Sequence, residues 1–169
     1  MGRLRCFQAL ASARRDSLAR LRRPGIRRLL VVCHGNIYRS AFVGAYIVRQ
    51  AIPGLQIRSS GLHPVVGRPA PARHVEMSQR FGVDLSAHRS SIVAPTDLVW
   101  AELIVVMDRH NWQALVERGA ATERLVWLGA LDGGAIEIVD PYGLDDIHAE
   151  RVVARLAACS ERLATRVRQ

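Results

Sequence analysis

The sequence predicts an α/β fold in three layers, with helices on both faces of a central four-stranded parallel sheet. Two observations carry that expectation: short apolar, β-branched runs alternate with longer stretches of helical periodicity, and glycine or proline breaks the chain between them. Arg28–Val32 (RLLVV) reads as the first strand and Ser40–Ala51 as the helix that follows, closed by Pro53-Gly54. Leu55–Ser59 reads as the second strand, and Pro71–Phe81 as a helix stopped by Gly82. Leu103–Met107 (LIVVM) is the third strand, Asn111–Arg118 a helix ended by Gly119, and Arg124–Leu128 (RLVWL) the fourth strand. A loop through Gly133-Gly134 leads to Asp140-Pro141-Tyr142. The last helix runs from about Asp145 to Val167, with Val152, Leu156, Cys159, Leu163 and Val167 at core spacing. In such a fold active residues are expected at the carboxyl ends of the strands.

With 169 residues and 49% hydrophobic side chains the chain suits one domain with a core of its own, and a disordered chain is excluded. No apolar run approaches the roughly 20 residues that span a bilayer. Three scattered cysteines (Cys6, Cys33, Cys159) suit neither a disulfide framework nor a Cys-rich zinc site, so a reducing, cytoplasmic setting is expected. Charge is uneven. Residues 1–28 hold nine arginines and one acid, a net of +8, leaving fifteen arginines against fourteen acids, or +1, in the rest. The chain therefore divides into a basic, Arg-rich extension (residues 1–27) and a nearly neutral body (residues 28–169). Residues 1–23 read as an amphipathic helix with Leu4, Phe7, Ala11, Leu18 and Leu21 on one face, interrupted near Arg14. That helix fits three roles: packing on the body, contact with a polyanion or membrane surface, or organelle targeting. Nucleic acid is disfavoured as a main ligand, because the body offers no second basic patch.

The chemistry-bearing segment follows the first strand: Val31–Ser40, V-V-C-H-G-N-I-Y-R-S. Gly35 and Asn36 tolerate left-handed backbone angles, and a turn built on them can aim successive N–H groups at one point. The N-terminus of the following helix adds its positive end, and Arg39 a planar fork that can grip two phosphate oxygens. A thiolate at Cys33 would be stabilised by the same field. The Cys-x5-Arg spacing alone is weak, with about 0.4 chance matches from 3 cysteines and 24 arginines in 169 residues. Specificity comes from the whole string, set between a strand and a helix.

With this loop the chain resembles the low molecular weight protein tyrosine phosphatases over residues 28–169. Ser59-Ser60-Gly61 fits the family's second-strand motif, Asp84–Arg89 (DLSAHR) its D-L-S-x-H-R segment, Val105–Asp108 its V-M-D strand, and Asp140-Pro141-Tyr142 its general-acid loop. The resemblance implies a phosphotyrosine-protein phosphatase working through a phosphocysteine, with Cys33 as nucleophile, Arg39 as the phosphate clamp and Asp140 as acid and then base. It implies substrate contacts from His34, Gly35, Asn36, Ile37, Tyr38 and Ser40, with Tyr142 as a wall of the slot. Asn36 would brace the loop with Ser60 and His88 as partners, and Ser40 would donate to the Cys33 sulfur. Asp108 is expected near the loop, pairing with an arginine or acting directly. No cofactor or metal is implied, since Arg39 and the amides supply the positive field. The implied partners are phosphotyrosyl proteins, a bacterial tyrosine kinase being a natural counterpart.

The chain also departs from the family pattern. Tyr38 stands where many members carry a second cysteine, so an oxidised Cys33 has no neighbour to capture it as a disulfide. Ala41 and Gly44 replace the usual Pro and Glu of the first helical turns. Leu62–Val66 (LHPVV) lacks an aromatic wall, and Gly143 follows Tyr142 where some members have a second tyrosine; together these imply a less aromatic entrance. Ile37 replaces the Thr typical of arginine-phosphatase relatives, and where arsenate reductases need two further downstream cysteines this chain has only Cys159. The alternatives are a phosphatase of the same mechanism acting on small or sugar phosphates, and a catalytically weakened module that binds phosphorylated partners.

Overall fold

The structure, a computed structural model, describes residues 12–169, so Leu4, Cys6, Phe7 and Ala11 lie outside the described residues. Residues 12–20 form helix α1. The strands are β1 (Arg28–Cys33), β2 (Gln56–Gly61), β3 (Leu103–Val106) and β4 (Leu125–Trp127), all parallel, in the order β2-β1-β3-β4. The helices are α2 (Arg39–Arg49), α3 (Ala72–Gln79), α4 (Pro95–Trp100), α5 (Arg109–Glu117) and α6 (Asp146–Val167).

Side chains alternate across each strand, and the two sets feed two cores. Leu29, Val31, Leu103, Val105 and Val126 join Phe42, Ile47, Met77, Val153 and Leu156 under α2, α3 and α6. Leu30, Val32, Ile104, Val106 and Leu125 join Leu98 and Leu115 under α4 and α5. Burial on both faces explains why these strands read as continuous apolar runs rather than alternating ones.

Each element expected between residues 28 and 169 is present, with ends displaced by a few residues at most, and of the helix expected over residues 1–23 the described part spans residues 12–20. Helix α4 was not legible, since six residues are too few to show a period. Its start is fixed instead by Pro95 and by Asp97, whose carboxylate accepts from the Ala94 N–H at 3.0 Å. Gly44 has a packing reason: a Cβ there would lie 3.0 Å from Ser59 Cβ, so α2 rides close over β2.

Helix α1 packs on the body through Leu18, and Leu21, in the turn just past it, is buried in the same core. It runs along the outer edge of β4, where Leu125 and Trp127 turn their backbone groups away from β3. The Trp127 N–H donates to Ser17 Oγ at 3.1 Å, and Arg20 Nη1 donates to the Leu125 carbonyl at 2.6 Å. Arg14 Nη1 adds a bond to the Ala130 carbonyl at 2.8 Å.

From β1 the chain passes through α2 to β2 on one side of the sheet, then crosses back to β3 on the other. The reversal opens a crevice at the carboxyl ends of β1 and β3. Cys33 ends β1, and Asp108 lies just past β3.

Candidate active site

Residues 34–38 form the turn between β1 and α2, and Asn36 sits in the left-handed region at φ +50°. What holds it there is a set of buried hydrogen bonds. Asn36 Nδ2 donates to Ser40 Oγ at 2.9 Å and to Ser59 Oγ at 3.2 Å, while its Oδ1 accepts from the Ser91 N–H at 2.9 Å. His88 Nε2 lies 2.6 Å from the Asn36 carbonyl, so it carries the proton. The partner set differs from the expected one. Ser59, not Ser60, reaches the Asn36 side chain, because neighbouring strand residues point to opposite faces. Ser60 contributes its carbonyl, 3.3 Å from Ser40 Oγ, and its hydroxyl meets that of Ser91 at 3.2 Å.

The loop's carbonyls are also turned outward. The His34 carbonyl accepts from the Leu62 and His63 N–H groups at 2.8 and 2.9 Å, and Arg68 Nη2 donates to the Gly35 carbonyl at 2.8 Å. The loop lies so close to the end of β2 that a Cβ on Gly61 would sit 2.9 Å from the His34 oxygen. On the inner side the Asn36 N–H points at Cys33 Sγ, 3.3 Å away, and Ser40 Oγ is 3.0 Å from the same sulfur. Ser40 Oγ accepts from Asn36 and has one proton to give, either to the Ser60 carbonyl or, at the shorter distance, to that sulfur when it is a thiolate.

Arg39, on the first turn of α2, is 1% exposed. Its Nη1 donates to Asp108 Oδ2 at 2.6 Å and to the Ile138 carbonyl at 3.0 Å, and its Nη2 pairs with Asp140. Burial alone would lower its pKa, but the Cys33 sulfur and the two carboxylates outweigh it and hold the guanidinium above its usual value. Its buried Nε has no partner among the described residues. Asp108 does double duty, since its Oδ1 caps α5 by accepting from the Asn111 N–H at 2.8 Å. Asp140 Oδ1 accepts from the Tyr142 N–H at 3.1 Å, which fixes the turn carrying both residues.

Above this floor lies an open cavity of about 390 Å³, lined by Cys33, His34, Gly35, Ile37, Tyr38, Asp140 and Tyr142 together with His63 and Arg68. Asn36 and Ser40 are fully buried, so they build the floor rather than line the cavity. The entrance is more aromatic than the sequence departures imply. The Tyr38 ring stands 6.4 Å from that of Tyr142, edge to face, and 4.9 Å from that of His74. Burial, then the Asp140 carboxylate, holds the Tyr38 phenol above its ordinary pKa, so the ring stays neutral. Among the described residues, no group of three or more His, Cys, Asp or Glu is arranged to hold a metal ion.

The structure thus gathers Cys33, Arg39, Asp140, Asp108, Ser40 and Asn36 around one point. Sequence reasoning places Ser59 and Gly61 only in a strand motif, without a role, and misses Ser91, Arg68 and His74. His74 is buried on α3 with its Nε2 3.2 Å from the Tyr38 carbonyl, and burial lowers its pKa to about 4. Chemically, the arrangement offers a sulfur nucleophile, N–H and guanidinium donors for a tetrahedral oxyanion, and a carboxyl group at the opening.

Comparison with known proteins points the same way. The family model for low molecular weight phosphotyrosine protein phosphatase matches residues 28–169. A probable low molecular weight protein-tyrosine-phosphatase, EpsP of Ralstonia nicotianae, is 36% identical over 118 residues, 69% of this chain and 79% of that protein. Among solved structures, the tyrosine phosphatase AmsI of Erwinia amylovora superposes with a TM-score of 0.76 at 25% identity, covering 85% of this chain and 94% of that one. The YwlE arginine phosphatase of Geobacillus stearothermophilus does so with a TM-score of 0.74 at 25% identity, over 83% and 92%.

Proposed function

The chain belongs to the low molecular weight phosphotyrosine protein phosphatase family, and on that premise we propose that it hydrolyses phosphotyrosine in proteins through a phosphocysteine on Cys33. The observation that carries this reading is the Cys33 sulfur 3.0 Å from Ser40 Oγ and 3.3 Å from the Asn36 N–H, beside a buried Arg39 whose Nε lacks an acceptor. A phosphoryl oxygen is the acceptor that Nε lacks, and an unpaired buried donor favours binding a ligand that supplies one.

In the first step the Cys33 thiolate attacks phosphorus as the bond to the tyrosyl oxygen breaks, and Asp140 gives that oxygen its proton. Arg39 and the loop amides hold the equatorial oxygens through a loose transition state, where positioning and charge matter more than nucleophile strength. Without substrate, Asp140 is paired with Arg39. A dianionic phosphate competes for that guanidinium and frees the carboxyl group to face the leaving oxygen. In the second step the Asp140 carboxylate takes a proton from water, the water oxygen bonds to phosphorus, and the sulfur leaves as thiolate, steadied by the Ser40 hydroxyl. Tyr38 and Tyr142 flank the substrate ring. Ile37 lines the cavity with an aliphatic group and offers no acceptor to a guanidino nitrogen, which favours phosphotyrosine over phosphoarginine.

We assign this chemistry to residues 28–169 and read residues 1–27 as an extension, acting in the cytoplasm on phosphotyrosyl proteins with a bacterial tyrosine kinase as natural counterpart. The test is hydrolysis of an aryl phosphate at mildly acidic pH without added metal. Cys33→Ser is expected to lower turnover by at least about 10⁴-fold, and Asp140→Asn by about 10²–10⁴-fold. Binding of vanadate or phosphopeptide by a folded wild type with no turnover would replace this reading with a phosphate-dependent binding module. A panel in which sugar phosphates outrun phosphopeptides would move the substrate, not the mechanism.

A further inference from the structure

The residues lining the cavity fall into two unlike groups. One is aromatic, Tyr38 and Tyr142, whose rings meet edge to face. The other is His34, His63 and Arg68. The His34 ring lies 5.6 Å from that of His63 and 5.7 Å from that of His110, at the start of α5. Phosphate chemistry on Cys33 uses none of these side chains, since the loop and Arg39 already enclose the oxyanion.

We propose that this imidazole and guanidinium wall is a second anion subsite, which binds an acidic side chain next to the phosphotyrosine of the substrate. The proposal rests on the phosphatase reading above and names the class of phosphopeptide it selects. With the substrate ring between the tyrosines, the flanking peptide must cross the rim, and the second group of lining residues carries the donors. Arg68 is anchored through Nη2 to the Gly35 carbonyl and through Nε to the Val65 carbonyl at 3.2 Å. That leaves Nη1 without a protein acceptor among the described residues, on a side chain that is charged at every working pH. His63 Nδ1 accepts from the Val65 N–H at 3.1 Å, so the neutral ring carries its proton on Nε2, as a donor.

The charges facing the cluster are few. His34 has its pKa lowered by burial and then by His110 and His63, while Asp140 opposes and Arg39 adds to that shift. Asp140 and Asp108 are both engaged by Arg39, and Arg109, beside His110, pairs with Glu137 at 3.6 Å. An arriving carboxylate therefore meets donors and one fixed cation, and imidazole is the donor type that gains charge as pH falls.

The test uses two phosphotyrosine peptides of equal length with glutamate or glutamine at the two positions on each side. The kcat/KM of each is measured at pH 5.5 and 7.5, for wild type and for the double variant His63→Gln/His110→Gln. Wild type is expected to favour the glutamate peptide at least fivefold at pH 5.5 and less at pH 7.5, and the double variant, which keeps Arg68, to lower the pH 5.5 ratio at least twofold and to lose its pH dependence. A wild-type ratio near one at both pH values, or an undiminished ratio in the variant, overturns the subsite while leaving the phosphatase reading intact. Affinities of both peptides for Cys33→Ser, read by fluorescence anisotropy, separate the opposite case. If neither peptide is hydrolysed but the glutamate peptide binds at least fivefold tighter, the phosphatase reading falls and the subsite stands; equal binding removes both.

Discussion

The floor of the cavity and its rim are held in opposite ways. On the floor Asn36, Ser40 and Arg39 are at most 1% exposed, and every side-chain polar atom of Asn36 and Ser40 has a partner. On the rim Tyr142 is 76% exposed. The floor must hold a strained turn to fractions of an ångström, because donors out of place by more contribute little to a transition state. The rim only has to meet a substrate, and it is free to differ between relatives. Perturbing the floor should therefore cost far more than perturbing the rim.

After the Cys33 and Asp140 substitutions, the largest effect is expected from Arg39→Lys. An ammonium cannot bridge Asp108, Asp140 and a phosphoryl group in one plane, so kcat/KM should fall about 10³-fold. A loss below tenfold would show that the fork geometry does not matter. Next comes His74, which supports the floor from α3 through the Tyr38 carbonyl. Its pKa falls from 6.5 to about 4 on burial, so above about pH 6.5 it is neutral whether folded or unfolded. Between pH 6.5 and 4 only the unfolded chain takes up the proton, so stability drops as pH falls, by about 3 kcal/mol at pH 4. Denaturant midpoints across that range should show this slope in wild type and a flatter one in His74→Gln; parallel curves would refute it.

At the rim, Tyr142→Ala should raise KM about three- to tenfold for an aryl substrate with little change in kcat, the worth of one aromatic contact of about 0.5–1.5 kcal/mol. A large kcat loss would place Tyr142 with the floor. The smallest effect lies outside both regions. Ser17→Ala leaves the Trp127 N–H unpaired and should cost about 1 kcal/mol in denaturant unfolding with turnover unchanged. A drop in turnover would tie α1 to catalysis.

The same division decides what could be read from the sequence. The floor was legible because a tight turn admits few residue types: glycine and asparagine for the backbone, cysteine and arginine for the chemistry, all within Cys33–Ser40. The sheet was legible because strands buried on both faces must be apolar throughout. What failed was contact between distant segments. Ser91, 55 residues from Asn36, and Arg68, 33 residues from Gly35, carry no local signal. Ser60 was preferred to Ser59 because a motif fixes a position along a strand without saying which face a side chain takes. The entrance was misjudged for a related reason: Tyr38 reads as the loss of a cysteine until its ring is placed beside Tyr142.

Helix α1 has a consequence away from the chemistry. A sheet whose outer strand is left bare invites a strand from another molecule, the first step of edge-to-edge aggregation. Here Ser17 and Arg20 occupy the outward backbone groups of Trp127 and Leu125, so side chains from the chain's own beginning close the ladder. A protein expressed from residue 24 would keep the whole cavity and lose that seal. Its handicap would appear as poor solubility at high concentration rather than as slow turnover.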